Sequence, residues 1–137
     1  MIETVQGLGS LFYPKKYINE LSEICKMNDI LITFDEMQAG CSRTGKNFGF
    51  QHYDITPDLI CCGKGMGSGF PIAGVITSKK IMDNKFISGL SSTHSANPIA
   101  CEAGSATLDY LKNETDLQNI NKLRLLFQKV HKKLCYG

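Results

Sequence analysis

The sequence lacks a dominant charge, a basic block and a long apolar run, and each absence removes a class of function. Fifteen Lys and Arg against thirteen Asp and Glu leave a formal charge of +2, and no run of Lys or Arg reaches the block length of a nucleic-acid arm. A polyanion-binding role is therefore not indicated. No stretch approaches the roughly eighteen apolar residues of a membrane span, and the Met1 end lacks the charged-then-apolar layout of a signal peptide. A soluble protein that is not secreted is expected. A CxxC pair is also missing, and His52, His94 and His131 are read as having no Cys or His at ligand spacing, so no metal site is expected.

What is present is ordinary globular composition, 42% hydrophobic and 20% charged over 137 residues, a length that suggests one domain. Six cysteines stand at 25, 41, 61, 62, 101 and 135. The adjacency of Cys61 and Cys62 and the chain length argue against a disulfide framework. Reduced, mostly buried thiols acting as small hydrophobes are expected.

Residues 14 to 28 open with Pro14, acceptable in a first helical turn, and place Tyr17, Ile18, Leu21, Ile24 and Cys25 at helical spacing. The run Ile30 to Phe34, ending at Asp35, reads as a strand covered on both faces. With Met1 to Gln6 as an earlier strand, the three pieces predict a βαβ unit with parallel strands. Further strands are expected at 58–62 and 72–77, separated by the glycine-rich segment Gly63 to Gly69. Asn97 and Pro98 signal the start of a helix to about Leu111, and Asp116 to Leu134 carries Leu117, Ile120, Leu123, Phe127, Val130 and Leu134 on one stripe. The fold class that follows is α/β, a mostly parallel sheet with flanking helices.

In open α/β sheets, ligands bind beyond the carboxyl ends of the strands. Here those ends deliver Gln6 and Gly7, then Asp35, Glu36 and Gln38, then Lys64 inside a glycine cluster. The cluster is not a Walker A loop, because Lys64 is followed by Gly65 rather than Ser or Thr, and its Gly65, Gly67, Gly69 spacing is not GxGxxG. A tight turn is the ordinary explanation for such glycines. Around a lysine they also remove bulk, letting a planar ligand or a neighbouring backbone approach the amine.

The stretch LITFDEMQAGCSRTGKNFGFQHYDITPDLICCGKGMGSGFPIAGV resembles the signature region of the class III, ω-type, pyridoxal-phosphate-dependent aminotransferases, a branch of fold-type I. IETVQGLG is similar to that family's E-P-[IV]-Q-G-E-G segment, and STHSANPIACEAGSATLDYL to its S-T-[FY]-x-G-N-P-L-A segment. The resemblance runs from Ile2 to about Leu111 and implies pyridoxal 5'-phosphate as cofactor. It implies that Lys64 binds the cofactor aldehyde covalently and then serves as general base, with Asp35 paired to the pyridine nitrogen. Gln38 would contact the phenolic oxygen of the ring, Thr93 the phosphate of a neighbouring subunit, and Glu3 the substrate side. His52 and His94 read as structural, and Arg43 is not assigned to substrate.

The resemblance further implies transfer of an amino group from a small-molecule amino donor to an oxo acid. It also implies a homodimer, in the cytoplasm or alternatively the mitochondrial matrix, with no nucleic-acid or membrane partner. Residues 1–112 would be the central part of the cofactor-binding large domain, and 113–137 an amphipathic helix leading toward a small domain not in this sequence. The family's upstream phosphate loop and stacking aromatic, and its downstream arginine for the substrate carboxylate, have no counterpart here, as expected of a partial large domain. Leu8 replaces the second acidic residue of the E-P-x-Q-G-E-G segment. A decarboxylase or aminomutase of the same family, and a non-catalytic remnant or interaction module, are the alternatives.

Overall fold

In this computed structural model, residues 1–83 and 92–136 are described. A four-stranded sheet forms in the order β1 (Ile2–Glu3), β2 (Thr33–Asp35), β3 (Leu59–Cys62) and β4 (Gly74–Thr77). The first two pairings are parallel and the last antiparallel. The expected mostly parallel α/β sheet is therefore present, with β4 reversed.

Helix α1 (Lys15–Met27) crosses from β1 to β2 and buries Ile18 and Cys25, which lie seven residues apart on one face. Its end follows from local chemistry. The Asn28 side chain donates to the Ile24 carbonyl at 2.8 Å, and Asp29 takes a left-handed φ of 53°, a conformation Asn and Asp tolerate better than most residues. The buried side of α1 meets Ile32, Phe34 and Tyr53, with Ile2, Tyr13, Leu21, Phe50 and Ile55 packed around them. Phe34 and Ile18 are fully buried, each contributing about 1.5–3 kcal/mol of transfer free energy.

Between β2 and β3 the chain makes a 3-10 turn at Gly49–His52, which sequence periodicity does not reveal. This turn delivers Phe50 to Phe34 at a ring separation of 6.2 Å, and Tyr53 approaches Phe34 at 6.4 Å. Lys64–Gly67 form a second 3-10 turn after β3, and α2 (Lys79–Met82) is a single turn after β4.

Helix α3 (Pro98–Asn113) starts as expected, with the Asn97 side chain accepting from the N–H groups of Ile99 and Ala100. It lies close to the segment between β3 and β4, because a Cβ at Gly104 would stand 3.0 Å from Ile72 Cδ1. Helix α4 (Leu117–Tyr136) is capped by Asp116, which accepts from the N–H groups of Gln118 and Asn119. Its expected apolar stripe is exposed over Leu123, Phe127, Val130 and Leu134.

Three expectations are corrected. The strand expected at 30–35 is only Thr33–Asp35, with Ile30 and Leu31 exposed, because its neighbours offer short pairing edges. Cysteine burial is lower than expected: Cys25 and Cys62 are buried, Cys41 and Cys61 half-buried, Cys101 and Cys135 exposed, and all six are free thiols. His131 does have a cysteine beside it, since Cys135 Sγ lies 3.5 Å from its Nε2 one helical turn on.

Candidate active site

The register of the sheet assembles the candidate site. Glu3 pairs with Asp35, and Asp35 with Cys61, so the ends of β1, β2 and β3 reach one edge together. Lys64 follows three residues after Cys61.

The end of β2 divides two adjacent acids, Asp35 in the strand and Glu36 just after it. Glu36 turns inward and is only 1% exposed. It accepts from the Gly49 N–H at 2.7 Å, the Phe50 N–H at 2.9 Å and the Thr4 hydroxyl. One carboxylate thereby joins β1, β2 and the 49–52 turn. Asp35 remains half-buried, and its Oδ1 accepts the Met37 N–H at 2.9 Å, a local turn that directs the chain toward Gln38.

Gln38 and Glu3 meet at Gly7. The Gly7 N–H donates to Glu3 Oε2 at 2.9 Å, and a Cβ on Gly7 would stand 3.1 Å from Gln38 Nε2 and 3.6 Å from Glu3 Oε2. The glycine of the VQG segment is thus the gap in which the amide and carboxylate come together.

Lys64 is exposed and makes no ion pair with any described residue. Its backbone is left-handed at φ 43°, an uncommon state for a residue with a Cβ that costs of order 1–3 kcal/mol and clusters at functional sites. The flanking glycines explain how this turn packs. A Cβ on Gly63 would meet Met37 Sδ at 2.5 Å, and one on Gly65 would meet Cys41 Cβ at 3.2 Å. The lysine turn is therefore set directly against the segment that follows Asp35.

Thr93 is exposed in the turn ahead of α3, and among the described residues no hydrogen bond joins it to these four. His94 is exposed in the same turn. His52 supports the 43–52 loop, its Nε2 lying 3.2 Å from the Thr44 carbonyl oxygen and 3.1 Å from the Thr44 hydroxyl.

Several thiols stand near this edge. Burial pushes Cys62 up to about 11, with Cys41, Glu36 and Cys61 adding to the rise. Burial also raises Cys41, against the nearby Arg43 charge, and raises Cys61 together with the charge of Asp35. At pH 8 a thiol like Cys62 holds about a hundredfold less thiolate than an ordinary one. Iodoacetamide at that pH is expected to alkylate exposed Cys101 and Cys135 first and Cys62 last, as followed by peptide mass spectrometry. Early labelling of Cys62 would contradict its burial.

The decisive comparison is with a family model. Residues 1–134 match the model for class-III aminotransferases. The chain belongs to that family. Among its relatives, a 4-aminobutyrate aminotransferase of Mycobacterium leprae is 36% identical over 127 residues, covering 92% of this chain and 28% of that protein. An acetylornithine aminotransferase of Caldanaerobacter subterraneus is 38% identical over 123 residues, covering 89% and 31%.

The class-III fold is matched in space as well. The ornithine aminotransferase of Plasmodium yoelii superposes with a TM-score of 0.86 at 32% identity, over 96% of this chain and 36% of that one. That of Toxoplasma gondii, whose active site holds pyridoxal phosphate at partial occupancy, gives 0.87 at 29% identity over 98% and 32%. The chain thus spans about a third of the length of the class-III proteins it matches. Its partial α/β fold is that of the fold-type I aminotransferases. No helix among the described residues is long and apolar enough to cross a membrane.

Proposed function

We propose that this chain contributes the central part of the large domain of a pyridoxal-phosphate-dependent aminotransferase, with residues 1–112 in that domain and α4 leading toward a small domain. The activity is transfer of an amino group from an amino donor to an oxo acid. The observation that carries the reading is the shared strand edge, where Asp35 pairs with Cys61 and the strained lysine turn, through Gly63 and Gly65, packs against Met37 and Cys41 on either side of Gln38 in sequence.

The donor set fits pyridoxal phosphate. The lysine amine is exposed, the carboxylate of Asp35 spends one oxygen on the Met37 N–H, and the Gln38 amide stands beside Gly7 where no Cβ intervenes. When bound, the cofactor supplies the electron sink for the pair left on a substrate carbon that loses its proton. Asp35 would hold a proton on the pyridine nitrogen by charge pairing. Gln38 would orient the ring by donating to its phenolic oxygen. Lys64 Nζ would bind the aldehyde carbon and, once released by the substrate amine, move the proton at the substrate Cα. Glu3 would border the substrate side. Thr93, exposed ahead of α3, would contact the cofactor phosphate of a partner subunit in a homodimer.

The test is chemical fixation. Incubation with pyridoxal phosphate followed by borohydride is expected to leave a phosphopyridoxyl group on the Lys64 peptide, and Lys64→Ala is expected to abolish it. Equal incorporation into the variant would overturn the reading.

A further inference from the structure

A cavity of about 560 Å³ lies between the 43–52 loop and α4, with Gln38 in its wall, a size within the usual range for small-molecule sites. Its far wall is one helix face. Ile120, Arg124 and Gln128 follow at four-residue spacing, so their side chains stack along one side of α4. The helix is tied to the loop by Asn121, whose Nδ2 donates to the Gly45 carbonyl at 3.3 Å and to the Leu117 carbonyl at 2.9 Å. Gly45 has φ +83°, and a Cβ there would meet Asn121 Oδ1 at 2.6 Å, so the junction depends on that glycine.

The lining has a clear sign. Arg43 comes from the loop and Arg124 from the helix, and no Asp or Glu borders the cavity. Among the described residues neither arginine has a carboxylate within ion-pair distance. Val5, Phe12 and Ile120 supply apolar surface to the same cavity. His52 is engaged with Thr44 through Nε2 and stiffens the loop. Two guanidinium groups from separate elements, lining one cavity with apolar side chains, match a carboxylate on a short hydrocarbon stem.

We propose that this cavity is a carboxylate subsite adjoining Gln38, in which Arg43 and Arg124 bind the acid group of a small organic acid whose stem lies along Val5, Phe12 and Ile120. The choice of an organic acid rests on the aminotransferase reading; the anion site does not.

Hexanoate serves as probe and uncharged hexanamide as its control, followed by NMR chemical-shift titration of the 137-residue chain without cofactor. Saturable shifts confined to the 43–52 loop and α4 are expected, with hexanamide at least about tenfold weaker. R43M and R124M are each expected to weaken hexanoate about tenfold or more while keeping native dispersion, because both side chains are exposed. Equal binding of hexanamide, unchanged affinity in both variants, or absence of saturable shifts would overturn the subsite. Inorganic phosphate binding there in place of hexanoate would overturn the organic-acid assignment. The two proposals fail separately. Hexanoate binding without fixation of pyridoxal phosphate on Lys64 removes the aminotransferase reading, and fixation without hexanoate binding removes only the subsite.

Discussion

Replacing Glu36 with alanine is expected to cost about 3–5 kcal/mol of folding stability, a large part of the roughly 5–15 kcal/mol that a domain commands. Glu36 is buried and accepts from the Thr4 hydroxyl and the N–H groups of Gly49 and Phe50. Each buried donor left without an acceptor costs about 1–3 kcal/mol, and the terms are not fully additive. Packing leaves little room for relaxation: a Cβ on Gly49 would lie 2.6 Å from Ala39 Cβ and 2.7 Å from Thr4 Cγ2. Urea unfolding followed by far-ultraviolet circular dichroism measures the loss. A change below about 1 kcal/mol would mean that water replaces the carboxylate and that Glu36 does not hold the 49–52 turn. Glu36→Gln keeps an acceptor but brings an amide NH2 against backbone donors, so it should fall between wild type and alanine.

Asp35→Asn is expected to leave the fold intact and to weaken pyridoxal phosphate binding about 10- to 100-fold. Its amide oxygen can still accept from the Met37 N–H, the local bond seen at 2.9 Å, so the turn toward Gln38 is kept. The negative charge is what disappears. Hydrogen bonds to charged groups contribute about 1.5–3 kcal/mol, and each 1.4 kcal/mol is tenfold in affinity. Fluorescence titration with the cofactor, beside an unfolding curve for the same variant, separates charge from structure. Unchanged affinity would remove Asp35 as the partner of the ring nitrogen. A parallel fall in stability would assign it a scaffolding role instead.

The helices were the most legible part of the chain. Periodicity located α1, and Asn97 and Asp116 marked the starts of α3 and α4, because caps and helical spacing are local properties. Strand limits were less legible. Ile30 and Leu31 have strand-like composition, but a strand exists only as far as its neighbour pairs, and β1 offers two residues. The reversal of β4 depends on how the glycine-rich segment turns, which residue pattern alone does not encode.

The candidate site divides in the same way. The motifs single out Lys64, Asp35 and Gln38 as candidates, and these follow or close neighbouring strand ends. The sequence pattern marks Glu36 only as part of a polar strand end. The available signal was alternation, since of two adjacent acids closing a strand one faces inward. The left-handed Cys41 and Ser42, at φ 54° and 66°, carry no such signal, as neither is glycine, asparagine or aspartate. Arg124 carries no sequence signal, because Arg43, which lines the same cavity, lies far away in sequence.

The pairing of Glu3 with Asp35 and of Asp35 with Cys61 has a kinetic consequence. Each contact closes a long loop, and loop-closure entropy must be met before parallel pairing returns anything. The helices can form early from local contacts, whereas the lysine turn and the carboxylate have no relation to each other until the sheet zips. Preference of a ligand for Lys64 over the other lysines would therefore require the paired sheet, and a chain arrested before strand pairing would be helical without that preference.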